Sequence, residues 1–223
     1  MSAAPASRRA RPAKAPLSRQ VIIETGLRIL DRDGAVALTM RRVAQDLDTG
    51  AASLYVYVAN RDDLMAAMLD HVLGTIPEPT GATWRDRLTA LIESTVAAMS
   101  RHDGLALVAL GAIPTGPNAL DLVDRMLAQL AAAGLDERTS AWAVDLISLH
   151  IAAAAVEQSV HNTKIGTEED YVTAVAQQFA QLPADRYPTL VTMRDALLAG
   201  TGDARAAWAV RVLVNGILAT PTD

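Results

Sequence analysis

LTMRRVAQDLDTGAASLYVYVANRDDL, residues 38–64, is the stretch whose reading decides the fold. Thr39 is placed to cap a short helix over 40–47, because its hydroxyl can accept a bond from an unpaired backbone N–H of the first turn. Asp48, Thr49 and Gly50 supply a turn, and a second short helix runs over 51–57. Asn60, followed by Asp63, opens a longer helix reaching about residue 71, in a capping-box-like arrangement. Val43, Ala44 and Leu47 face inward from the first short helix, and Ala44 is small enough to let the second come close. Leu54 and Val58 anchor the second. Arg41, Arg42, Ser53, Tyr55, Tyr57 and Arg61 are left to point outward. Two short helices joined by a three- or four-residue turn, the second exposed and flanked by basic residues, form a helix-turn-helix. Such a unit fits the major groove of double-stranded DNA. Two short helices inside an ordinary α-bundle would satisfy the same spacing.

Outward from this stretch the chain continues in helices. Ser18 caps a preceding helix that ends at Asp33-Gly34. Pro77 and Pro79 mark a break. Beyond it the pattern predicts helices over 84–101, 105–112, 117–133, 137–162, 168–182, 188–199 and 204–219, separated by Gly- and Pro-containing breakers. Strand-like alternation is absent. The expected fold is all-α: a disordered basic arm over 1–16, a three-helix helix-turn-helix domain over 17–75, and a larger helical domain over 76–223.

Composition agrees. Hydrophobic residues make up 51 % of the 223 and charged ones 20 %, the balance of a globular chain with a sizeable core. Cysteine is absent, which removes disulfides and thiolate chemistry and suits a reducing cytoplasm. No uninterrupted apolar run approaches membrane-spanning length. The net charge of −5 divides unevenly: residues 1–60 carry nine Lys/Arg against five Asp/Glu, and the remainder eleven against twenty. A basic end on an acidic body points the N-terminal part toward a polyanion.

The 38–64 stretch resembles the signature of the TetR family of transcriptional regulators almost position for position, and LYVYVANR is especially like its tetracycline-repressor subgroup. GPNALDLVDRMLAQLAAAGL (116–135) and YPTL…LLAG (187–200) with Gly216 resemble that subgroup's regulatory domain. The resemblance implies that Thr39 caps its helix beside a phosphate and that Arg41 reads a base. It places Gly50, Ala51, Ala52 and Ser53 at the leading edge of the recognition helix. Tyr55 and Tyr57 would approach the DNA backbone, and Arg61 a phosphate. Gly50, Ala51 and Ala52 lack the hydrogen-bonding side chains relatives often carry there. Readout would then lean on Arg41, Ser53, Tyr57, thymine-methyl contacts or DNA shape.

For the larger domain the resemblance implies a mostly apolar ligand cavity, with candidates Met99, Ile113, Met126, Trp142, Leu146 and Phe179, and Asn118, His150 and Gln158 as its polar groups. No metal or other cofactor is expected. His150 and His161 lie about 16 Å apart along a helix, too far for one ion. The stretch 108–111 lacks the metal-contacting His of the tetracycline repressor, and Glu157 matches an acidic position there but cannot hold an ion alone. Enzymatic chemistry is not expected either: there is no glycine-rich phosphate loop, no Gly-x-Ser-x-Gly elbow and no cysteine nucleophile. The function implied is a cytoplasmic repressor, released from a pseudo-palindromic DNA operator by a small, mostly apolar effector. A ligand-dependent activator or ligand-insensitive regulator of the same fold is the alternative.

A homodimer is expected through 137–162 and 204–219. The first stretch offers Ile147, Ile151, Ala154, Ala155 and Gln158 at three- and four-residue spacing; the second offers Ala206, Ala209, Val210, Leu213, Gly216 and Ile217. Helix 137–162 is apolar nearly all round, so it needs neighbours on more than one side.

Overall fold

The computed structural model describes residues 16–102, 104–111, 114–163 and 167–222. The anticipated arm over 1–16 and the ligand candidate Ile113 fall outside these, apart from Pro16. Among the described residues the chain is helical throughout, as expected, with no strand: α1 (Arg19–Asp33), α2 (Met40–Asp46), α3 (Ala51–Leu54), α4 (Arg61–Leu73), α5 (Trp84–Ser100), α6 (Leu105–Gly111), α7 (Pro117–Ala132), α8 (Glu137–Thr163), α9 (Glu168–Ala180), α10 (Pro188–Leu198) and α11 (Gly202–Ala219).

The starts of these helices are written in the sequence. Ser18, Thr39, Asn60, Thr83, Thr167 and Thr201 each accept a first-turn N–H with the side chain. Thr83 with Asp86 and Thr167 with Asp170 close reciprocal capping boxes. Hydrogen bonds from these threonines hold the Asp86 and Asp170 carboxyls below the ordinary carboxylate range.

In the head α1 packs on α4 and α2 packs on both α1 and α3, while α4 also meets α5, α6 and α7, which makes it the hub. Ile22, Ile29 and Leu30 of α1, Val43 and Ala44 of α2, Leu54 of α3 and Val58 form an apolar core with Leu64 and Met68 of α4. Gly26 matters here: a Cβ at its position would lie 2.7 Å from the Met68 sulfur, so the absence of a side chain lets Met68 of α4 pack directly on the α1 backbone. The other side of α4, through Met65, Leu69, Val72 and Leu73, continues into the core of α5–α8. One apolar core therefore runs through α1–α8 and α11, and α4 belongs to both halves.

In the body α8 packs lengthwise on α5 and also touches α6 and α7. By length and composition α8 could cross a membrane, with a mean hydropathy of 1.4 over its best window, which counting uninterrupted apolar runs does not reveal. Its apolar character has a local reason. Ala143, Ile147, Ile151 and Ala155 form one stripe, buried in the body. A second stripe, Trp142, Leu146, Leu149 and Ala153, stands open on the opposite side. This corrects the expected interface: Ile147, Ile151 and Ala155 are core, and the free face is the other one. Likewise Val210, Val214 and Ile217 of α11 turn inward, and Leu213 is half-buried, while Trp208 and Val212 remain outside. Helices α9 and α10 pack on each other, and neither buries a side chain fully in this single chain.

Candidate nucleic-acid interface

The α2–turn–α3 unit has the anticipated anatomy. Val43 and Ala44 are buried beneath α2, and Leu54 and Val58 pin α3. The Thr39 hydroxyl accepts from Arg42 N at 3.1 Å and fixes the start of α2. Gly50 precedes α3 with nothing within 4 Å of where a Cβ would stand, so the leading edge of α3 is open. Ala51 is half-buried, whereas Ala52, Ser53, Tyr55, Val56 and Tyr57 are exposed.

Geometry redistributes the roles of the basic and hydroxyl groups. Arg41 projects from α2 into solvent. Arg42 instead turns back to pair with Asp33 at 3.3 Å and Asp46 at 3.2 Å. Arg32 shares both carboxylates, at 2.8 and 3.3 Å, so the end of α1 is tied to α2. Asp33 and Asp46 hold the Arg32 guanidinium charged well above its ordinary range, and Arg32 in turn pulls the Asp33 carboxyl down. The Tyr57 hydroxyl donates to the Leu17 carbonyl at 3.0 Å, which anchors the recognition turn to the start of α1.

Arg61 has a packing role that the sequence reading did not give it. Its guanidinium donates to the Leu38 and Ala35 carbonyls, both at 2.9 Å, and so clamps the α1–α2 corner onto α4. Replacing Arg61 with Ala leaves two partly buried carbonyls without their charged donor. The expected result is a loss of about 1–3 kcal/mol, a fall of several degrees in melting temperature. Calorimetry checks it. An unchanged melting temperature with a salt slope of DNA binding reduced by about one unit would return Arg61 to a phosphate.

A second polar centre joins this head to the body, and sequence reading missed it. Gly116 starts α7 without a side-chain cap. Asp70, on α4, fills the place: its carboxylate accepts from Ala119 N at 3.0 Å and from the Asn118 amide at 3.1 Å. Asn118 also donates to the Asp70 carbonyl at 3.0 Å. The negative carboxylate thus sits at the positive end of α7. Asn118 is therefore part of a helix–helix latch and not a cavity wall. The missing signal was the uncapped Gly116-Pro117 start, which requires an acceptor from elsewhere. Nearby, His102 Nδ1 lies 2.6 Å from Asp31, tying the α5–α6 corner to α1.

The remaining ligand candidates separate. Met99 and Met126 are buried, and His150 and Phe179 are half-buried. Trp142 and Leu146 lie on the outer face of α8, and Gln158 is exposed, so these three do not face a cavity within one chain. A cleft of about 350 Å³ opens elsewhere, between α4, the start of α1 and the α6–α7 turn. Asp70, Val108, Pro114 and Pro117 are among its walls, and it contains none of the anticipated residues.

Comparison with known proteins completes the picture. Residues 76–220 match the family described as tetracyclin repressor-like, C-terminal domain. An HTH-type transcriptional regulator of Saccharopolyspora erythraea is 32 % identical, over 78 % of this chain and 73 % of its own. The HTH-type transcriptional repressor DrrR1 of Streptomyces coeruleorubidus is 29 % identical, over 83 % and 73 %. Among solved structures, apo ActR of Streptomyces coelicolor superimposes with a TM-score of 0.81 at 33 % identity, covering 93 % of this chain and 97 % of ActR. ActR is also known in complex with actinorhodin and with (S)-DNPA.

Proposed function

Because this chain belongs to the TetR family of transcriptional regulators, we propose that it is a repressor, binding a pseudo-palindromic DNA operator as a homodimer and released by a small, mostly apolar effector. The observation that carries this reading is the connection between α3 and the body. The exposed recognition turn is fixed to the start of α1 by Tyr57, and the α1–α2 corner is fixed to α4 by Arg61. In turn α4 is latched to α7 by Asp70 and Asn118. A change in the packing of α7 therefore reaches the reading head through rigid, polar contacts.

Buried Met99 and Met126 and half-buried Phe179 favour an apolar effector, and His150 offers a polar anchor. That ActR, so similar in fold, is known in complex with actinorhodin and with (S)-DNPA supports a ligand-responsive body. An effector acts only through differential affinity: a tenfold loss of operator binding needs about 1.4 kcal/mol of preference for the released conformation. Thr39 and Arg41, with Ser53, Tyr55 and the Gly50–Ala52 edge, meet DNA in this reading, while regulation of transcription and not catalysis is the chain's task in the cytoplasm.

Selection of bound duplexes from a random pool, repeated with small aromatic and aliphatic compounds present, tests the whole reading. The expected product is a two-fold symmetric site, with half-site centres about one helical turn apart or slightly more, whose enrichment falls with an effector. Enrichment of no sequence, or of an asymmetric single half-site, would overturn it.

A further inference from the structure

We infer that the recognition turn reads thymine methyl groups, through an apolar ridge formed by Ala52 and Val56. This rests on the DNA-binding function just proposed and says what chemistry the operator must present. Val56 is 80 % exposed, though it is a branched aliphatic residue on a unit whose other aliphatics, Leu54 and Val58, are fully packed. It lies two residues beyond the end of α3, in the turn that Val58 N closes by donating to the Leu54 carbonyl, and follows exposed Ala52 by four residues. The exposed aliphatics of α8 and α11 lie on broad open faces of the body. Val56 instead stands between exposed Tyr55 and Tyr57 on the recognition turn and not on either of those faces.

The polar alternatives are thinned by the structure itself. Arg42 is engaged by Asp33 and Asp46, Arg61 by two carbonyls, and the Tyr57 hydroxyl proton by Leu17. Gly50 and Ala51 bring no hydrogen-bonding side chain. What α3 and the turn after it offer to a base edge is therefore Ser53, Tyr55 and the Ala52–Val56 ridge, with Arg41 exposed on α2. In the major groove the apolar feature of a base pair is the C5 methyl of thymine. An aliphatic ridge between hydroxyls matches a thymine-containing half-site and offers nothing to a guanine or cytosine edge.

The test takes the duplex enriched by the full-length protein and replaces half-site thymines one at a time with deoxyuridine, which removes only the methyl. Affinity is followed by fluorescence anisotropy. At the contacted position the expected loss is about fourfold per half-site, the value of one buried methylene-sized group at about 0.8 kcal/mol, and about sixteenfold when both half-sites are changed. In Val56→Ser, folded normally because the side chain is already in water, the thymine duplex should bind more weakly and deoxyuridine should cost nothing more. Affinity for random-sequence DNA should be the same for both proteins. A selected duplex that binds equally well with deoxyuridine at every half-site position overturns the inference and leaves the operator function standing. A deoxyuridine penalty as large in Val56→Ser as in the unmodified protein overturns the assignment to Val56. Failure to enrich any duplex sinks the function and the inference together.

Discussion

Trp208→Glu is expected to convert the dimer into monomers and to lower operator affinity by two to four orders of magnitude. Trp208 on α11 and Trp142 on α8 are 61 % and 65 % exposed in the single chain, and Leu146, Leu149 and Val212 stand open on the same two helices. Tryptophan carries more apolar surface than other side chains, and leaving two in water is unfavourable. Two copies of these helices around a two-fold axis form a four-helix bundle that covers the open faces. Symmetry places the substitution in the interface twice, and each glutamate must be desolvated without a partner. A monomer meets one half-site at a time and loses the gain of tethered binding, about 10²–10⁴-fold. Sedimentation gives the mass and anisotropy the affinity. A dimer that survives Trp208→Glu with normal DNA binding would show that α11 lies outside the interface. Leu213→Glu is the poorer probe, because Leu213 is half-buried and packs against the core of its own chain.

Gly116→Ala should be the most damaging single-atom addition at the head–body junction. The new Cβ would fall 2.1 Å from Asp70 Oδ1 and 2.3 Å from its Cγ, inside any allowed contact. Aspartate is short, so its carboxylate cannot swing aside and still cap α7. The expected loss is about 1–3 kcal/mol, from strain and from broken charge-assisted hydrogen bonds. Asp70→Ala loses the cap for a similar cost but removes the two nearer obstructing atoms, leaving only its Cβ at 2.8 Å. The double variant should then be only slightly less stable than Asp70→Ala alone, with a coupling energy of about 1–3 kcal/mol in the denaturation midpoints. Strict additivity would contradict a direct Gly116–Asp70 contact. Both single variants should also weaken the effect of an effector on operator binding, because α4 and α7 no longer move as one piece.

Much of the protein is written locally. Caps at Ser18, Thr39 and Asn60, the Asp33-Gly34 end of α1 and the spacing of Val43, Ala44, Leu54 and Val58 specify the first four helices without reference to the rest of the chain. Helix starts depend on side chains within three residues, and a buried face repeats every three to four, so a sequence reader sees both. The all-α architecture and the position of the recognition turn followed from these alone.

Partners distant in sequence were decided only in three dimensions. Arg61 looks like a phosphate ligand until the Leu38 and Ala35 carbonyls come within 2.9 Å. Asn118 looks like a cavity amide until Asp70, forty-eight residues away, meets it. On α8 the residues at both stripes are apolar, so periodicity shows that the helix has two apolar faces but not which one packs on its own body. Tertiary packing chose Ile147 and Ile151 for the core and left Trp142 and Leu146 outside. A guanidinium or an amide satisfies itself with whichever acceptor the fold brings nearest, and an apolar face with whichever surface is offered; neither choice is encoded in the residue that makes it.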